Sequence, residues 1–206
     1  MANTRRAKPI SRSWTAPGTT VHTIKVTLRG SRPPIWRRLE VPSGTTLQQL
    51  HHLIQVAFGW EDYHMWAFET PQDRYGTADR ELGIRSAAAK RLDQVAQHTG
   101  DQFGYTYDFG DNWEHDILVE AVEDAEPGTA YPRCLTGRRA CPPEDCGGVW
   151  GYEYLIEILA DPKHEEHDDR LEWLGLDSAD QFDPAAFDLA EVNTALSGYT
   201  AVLIKN

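Results

Sequence analysis

Cysteine is scarce: the chain has three in 206 residues, all between Cys134 and Cys146. An odd number in one short cluster argues against a secreted disulfide framework, so a cytoplasmic location with reduced thiols is expected. Long apolar runs are also missing. No stretch approaches the roughly 20 apolar residues that cross a bilayer, which excludes a helical membrane protein. Residues 1–20 hold no apolar segment of the secretory type. No P-loop, G-x-S-x-G, H-E-x-x-H or G-x-G-x-x-G motif occurs, so P-loop hydrolysis, elbow-type esterase chemistry and zincin proteolysis have no support. Positive charge is in short supply, with 20 basic against 32 acidic residues and a net charge of −12.

That charge is unevenly spread. Arg5, Arg6, Lys8 and Arg12 lie in residues 1–20, which contain no acid. The rest of the chain then carries 16 basic and 32 acidic residues. A body so acidic repels phosphate backbones, so nucleic acid is not the expected partner except through residues 1–20. Those residues read as a disordered basic tail, and residues 21–200 as a single α+β domain.

From Val21 the apolar pattern has period two. Ile24, Val26 and Leu28 face one side of a strand, and Ile35, Arg37, Leu39 and Val41 one side of the next. Arg37 falls on the apolar side, where a charge must be paired. The acidic hairpin supplies the expected partner: Asp108, Asp111 or Glu114. Thr45 with Gln48 fits a capping box for a helix with Leu47, Leu50, Ile54 and Phe58 on one stripe, stopped by Gly59. A mixed sheet opening with a ββα, β-grasp-like unit and packed against helices follows. Further strands are expected over 64–70, 103–109 and 113–122, the last two joined at Gly110-Asp111-Asn112. Residues 71–100 read as a loop with a short helix near 87–95. Residues 123–147 read as one long irregular segment. The carboxyl-terminal part is expected to be helical, with Asp161-Pro162 and Asp183-Pro184 as helix starts and Trp150, Tyr154, Leu155, Ile158 and Leu159 on one apolar stripe.

Several segments together resemble a known family. They are Pro33-Pro34-Ile35-Trp36-Arg37-Arg38, the helix ending Phe58-Gly59-Trp60, the run Tyr105 to His115 and the run Cys141 to Gly148, followed by Asp161-Pro162-Lys163-His164 and Phe182-Asp183-Pro184. Over residues 21–197 the chain resembles the plasmid pRiA4b ORF-3-like family, found on plasmids, mobile elements and chromosomes. The resemblance implies an α+β fold and no established activity. Some members carry a recombinase label, which this acidic sequence without a helix-turn-helix does not support. Many relatives have a second histidine two residues after the position of His64; here it is Trp66.

Two groups of residues could carry chemistry. Cys134, Cys141 and Cys146, with His115 as a fourth ligand, have the donor types of a closed zinc site, and zinc is the cofactor this suggests. Idle thiols and a Cys141/Cys146 redox pair are the other readings. Arg37, Trp60, His64, Asp108, Asp111, Trp113, His115, Glu144 and Asp145 form a candidate pocket of aromatic walls and acid/base groups. His164 and His167 read as part of a solvated charged face. Functionally, the sequence suggests a cytoplasmic interaction or ligand-binding module whose partner is an unknown protein or small ligand. The alternatives are a metal-assisted hydrolase using His64 and His115, and a DNA-associated factor acting through the basic arm.

Overall fold

The structure, a computed structural model, describes the backbone of residues 19–203 and side chains through residue 200. The expected basic tail lies outside the described residues. Among the described residues, eight strands form one mixed sheet in the order β5-β4-β3-β6-β7-β1-β2-β8. They are β1 (Thr20–Leu28), β2 (Trp36–Pro42), β3 (Trp66–Glu69), β4 (Arg74–Gly76), β5 (Ile84–Ser86), β6 (Gln102–Tyr107), β7 (Trp113–Asp124) and β8 (Arg133–Arg138). Every pairing is antiparallel except β4 with β5. The helices are α1 (Leu47–Phe58), α2 (Gly148–Ala160), α3 (His167–Leu174) and α4 (Leu189–Leu203). The chain therefore has the expected α+β fold, with β1-β2-α1 as its opening unit.

Register explains where the core sits. Ile24 pairs with Leu39, Val26 with Arg37 and Ile117, Tyr105 with His115, and Tyr107 with Trp113 and Trp66. These side chains all project from one face, and α1 lays Leu47, Leu50, Ile54 and Phe58 against it. The other face carries ion pairs such as Arg38–Glu120 and Arg133–Glu40. The cap of α1 falls one residue later than expected: Thr46 accepts from the Gln49 N–H at 3.2 Å and Gln49 returns the bond. Both Thr45-x-x-Gln48 and Thr46-x-x-Gln49 satisfy the pattern; Thr45 is buried, and its carbonyl accepts from the Leu92 N–H at 2.8 Å. Gly59 ends the helix in the left-handed conformation, as expected.

Several expectations need correction. Short strands β4 and β5 replace part of the 71–100 loop, and the helix expected at 87–95 is only a 3-10 turn at Leu92–Gln94. The 123–147 segment contains β8, which extends the sheet beyond β2. The Asp-Pro pairs make turns instead of helix starts: Asp161 caps the end of α2, α3 begins at His167 and α4 at Leu189. Trp150 and Tyr154 point to solvent, while Tyr152, Leu155, Ile158 and Leu159 are buried. His167 is likewise buried rather than part of a solvated face.

The outer edge of β8 is met by α4. Asn193 accepts from the Cys134 N–H at 2.8 Å and donates to the Cys134 carbonyl at 2.9 Å.

Arg37 is buried as expected, but its partners are not carboxylates. Nε donates to the Ala57 carbonyl at 2.9 Å, Nη1 to those of Trp36 and Arg138, and Nη2 to that of Arg139 and to Cys141 Sγ. All five guanidinium hydrogens are thus used. The Phe58 and Phe187 rings lie near its planar group, with centroids 5.2 and 4.7 Å from Cζ. Gly137 leaves this space open: a Cβ there would come within 2.6 Å of Phe187 and 2.8 Å of Arg37. Main-chain dipoles suffice because a guanidinium spreads its charge over a fork of donors. The Arg37→Ala substitution strands four carbonyls and opens a cavity, so it should cost about 3–5 kcal/mol in denaturant unfolding. Arg37→Lys should lose more than half of that, since an ammonium cannot span the same acceptors. A cost for Arg37→Ala within the roughly 0.5 kcal/mol typical of surface changes would contradict this account.

Candidate functional site

Three chain segments meet beyond one end of β6. The loop after α1 brings His64, the end of β6 brings Asp108, and the loop before α2 brings Glu144 and Asp145. Trp60 links the first and third: it packs on Phe58 and Trp113 and donates from Nε1 to the Pro142 carbonyl at 3.0 Å. Asp111 links the second and third by accepting from the Gly147 N–H at 3.0 Å. Gly148 must be glycine for this junction, because a Cβ would stand 2.5 Å from the Asp111 carbonyl oxygen.

At the centre is His64 Nε2. It lies 3.2 Å from Asp145 Oδ1, 3.4 Å from Glu144 Oε2 and 3.7 Å from Asp108 Oδ2. This nitrogen is shielded from solvent yet makes no hydrogen bond. Tyr107 donates its hydroxyl to Glu144, and the Glu61 N–H reaches Glu144 Oε1 at 2.6 Å. The Tyr107 phenol is pushed up by burial and then by the adjacent Glu144 charge, so it stays a donor. Asp108 Oδ1 accepts from the Gly110 N–H, which leaves Oδ2 to face His64. Asp108 and Asp145 both adopt left-handed backbone conformations, with φ of 53° and 58°. Such geometry costs free energy for any side chain and collects at functional sites.

A neighbouring group behaves differently. His51, His52 and Asp62 also bring their polar atoms close together. Here, however, hydrogen bonds close a ring. The Asp62 N–H donates to Gln55 Oε1, and Gln55 Nε2 donates to the Tyr105 hydroxyl at 2.9 Å. That hydroxyl donates in turn to His51 Nδ1 at 2.7 Å, and His51 Nε2 donates to Asp62 Oδ1 at 2.6 Å. Burial lowers the His51 pKa and keeps this tautomer neutral. The ring holds Asp62, φ 61°, two residues before His64.

Four members of the candidate pocket therefore converge: His64, Asp108, Glu144 and Asp145. Trp60 and Asp111 brace them. Trp113 is a core residue beneath Trp60, and Arg37 serves the main chain as described. His115 is fully buried, edge-on to Phe58 and Trp60, and donates from Nδ1 to the Tyr105 carbonyl at 3.3 Å. The cysteine set is not assembled: among the described residues, no group of close potential ligands includes a cysteine. Cys134 donates to the Thr136 carbonyl and Cys141 accepts from Arg37. Burial pushes Cys141 and Cys146 up to about 12, which leaves both as thiols. Sequence reasoning missed Tyr107, Gln55, His51 and Asp62. The alternation of Tyr105 and Tyr107 with the face of His115 was the available signal.

Burial pushes His115 down to about 4 and also lowers His22 and His51 from 6.5. These residues are neutral when folded but take up protons near pH 6.5 when unfolded. Stability is therefore fully present above that pH and falls as pH drops toward 4. His115 alone accounts for about 3 kcal/mol over this window. His115→Leu should make unfolding free energy flatter between pH 6.5 and 5, whatever its effect at pH 7. An unchanged slope would contradict burial as the cause.

Comparison with known proteins supplies relatives. An uncharacterized protein y4hQ from Sinorhizobium fredii is 40% identical over 181 residues, covering 86% of this chain and 91% of that protein. The crystal structure of a protein of unknown function, MM3350 from Methanosarcina mazei Go1, superposes with a TM-score of 0.76 at 39% identity. It covers 84% of this chain and 97% of the other. The family model for plasmid pRiA4b ORF-3-like proteins matches residues 20–191, a span that takes in all eight strands and the whole His64 centre. With both the motifs and the fold in agreement, the chain belongs to the plasmid pRiA4b ORF-3-like protein family.

Proposed function

We propose that this protein is a ligand-binding module whose ligand is a divalent metal ion held by His64, Asp108 and Asp145. The observation that carries this reading is the bare, shielded His64 Nε2 facing carboxylate oxygens at 3.2–3.7 Å. Two ligand atoms about 2.1 Å from a common ion, at tetrahedral or octahedral angles, lie roughly 3.0–3.4 Å apart. The 3.2 Å between His64 and Asp145 falls in that range, and the 3.7 Å to Asp108 is too long for a direct hydrogen bond but leaves both atoms close enough to share an ion. One imidazole with carboxylates is a donor set that suits zinc, manganese or iron. No arginine or lysine among the described residues pairs with Asp108, Glu144 or Asp145, so the excess negative charge invites a cation.

Glu144 supports metal-assisted hydrolysis as a second reading. It stands beside the three ligands, is oriented by Tyr107 and Glu61, and could accept a proton there. Three protein ligands leave coordination positions open, and a bound divalent ion would acidify a water in one of them. Nothing supports His115 as a partner in this chemistry, since it is enclosed by Phe58, Trp60 and Tyr105.

The test separates a metal centre from a set of ion pairs. Zinc or manganese at about 100 times Kd should raise unfolding free energy by about 2.7 kcal/mol. The substitution His64→Ala should abolish this response. Asp108→Asn should also abolish it, yet leave the metal-free protein equal or higher in stability, because crowding of like charge is relieved. An Asp108→Asn protein that is less stable without metal, in a chain that shows no metal response, would point to ion pairs alone.

A further inference from the structure

We propose that the solvent face of α2 and α3 is a docking surface for a Lys/Arg-rich segment of a partner protein. This face is independent of the His64 centre. Its most exposed large side chain is Trp150, at 83%, with Tyr154 and Trp173 each at 45%. On α2, Trp150, Glu153, Tyr154 and Glu157 fall at i, i+3, i+4 and i+7, so aromatic rings and carboxylates share one stripe. The opposite stripe, Tyr152, Leu155, Ile158 and Leu159, is the buried one. Along the following segment, Glu165, Asp169, Glu172 and Trp173 repeat the mixture at i, i+4, i+7 and i+8.

The two stripes adjoin. The Tyr154 hydroxyl donates to Glu166 at 3.1 Å, and its ring meets that of His164 edge-on. Glu166 in turn pairs with Arg170, one turn before Trp173. Arg170 and Lys163 are the cationic side chains of residues 148–175, and Arg170 is already engaged. Among the described residues, Glu153, Glu157, Glu165, Asp169 and Glu172 have no cationic partner.

Charge complementarity selects the occupant. Nucleic acids and anionic lipids are repelled by these carboxylates. A purely apolar segment would cover the rings but desolvate unpaired acids. A basic segment satisfies both features at once: its cations pair with the carboxylates and lie over the indole faces. Arginine fits better than lysine, because its planar group can stack on an indole while its edge bonds a carboxylate.

The experiment titrates the full chain into a short fluorescent Arg-rich peptide and follows anisotropy. Saturable binding is expected, weaker for the Lys version and absent for a Glu-rich peptide of equal length. Trp150→Ala and Trp173→Ala should each weaken binding roughly fivefold. Trp150 is largely free of the body of the protein, so its substitution should leave the melting temperature unmoved. Glu153→Gln with Glu157→Gln should weaken binding and flatten its salt dependence. Four results would overturn the proposal. One is no binding; another is binding indifferent to both tryptophans, which reports diffuse attraction to an acidic protein. A third is self-association abolished by Trp150→Ala, which assigns the face to a second copy. The fourth is peptide binding that emerges only when Arg5, Arg6, Lys8 and Arg12 are changed to Ser, which assigns it to the chain's own basic segment.

Discussion

The Arg37 guanidinium is the fixed point around which the rest is arranged. It extends from β2 and reaches the last turn of α1, the exit of β8 and Cys141. A buried cation usually needs a buried anion, because desolvation is expensive. Here the compensation comes from carbonyl dipoles. The Ala57 carbonyl lies at the carboxyl end of α1, where the helix dipole adds negative potential. Because the Arg139 carbonyl and Cys141 are among the acceptors, the same group fixes the start of the segment that carries Glu144 and Asp145. A stability element in the core thereby sets the geometry of a surface site.

Two side-chain groups next to each other illustrate opposite solutions to the placement of polar atoms. The Gln55–Tyr105–His51–Asp62 ring uses each donor against an acceptor, and such closed networks make an interior rigid and specific. The His64 centre leaves a shielded nitrogen bare and crowds carboxylates around it. Both hang on β6, which sends Tyr105 into one and Tyr107 into the other. The satisfied ring is the support, and the unsatisfied centre is where a ligand gains most.

Much of the fold could be read in the chain because period-two alternation and a capping pattern are local. The inward set of β1 and β2, the stripe of α1 and the Gly59 stop all follow from neighbours in sequence. Strands β4 and β5 are too short to show an alternation, and β8 lies in a Pro/Gly-rich stretch and owes its pairing to the distant β2. Their acid/base character brought His64, Asp108, Glu144 and Asp145 into one candidate set, and the loops do bring them together. The cysteines misled because their spacing says nothing of which way loops and β8 turn the sulfurs. For Arg37, alternation revealed its burial, but backbone acceptors have no sequence signature, so carboxylates were the natural expectation.

The grip of Asn193 on Cys134 has a consequence for the life of the protein in a crowded cell. Strand β8 is a rim of the sheet, and a rim presents unmatched peptide groups that invite a foreign strand. The Asn193 amide has the same donor and acceptor pair as a peptide bond, and it occupies both groups of Cys134. It acts as a single link of counterfeit strand, supplied from a helix that cannot propagate pairing any further. The sheet is thus terminated from within the molecule at that point, and β-sheet growth from chain to chain loses its template there.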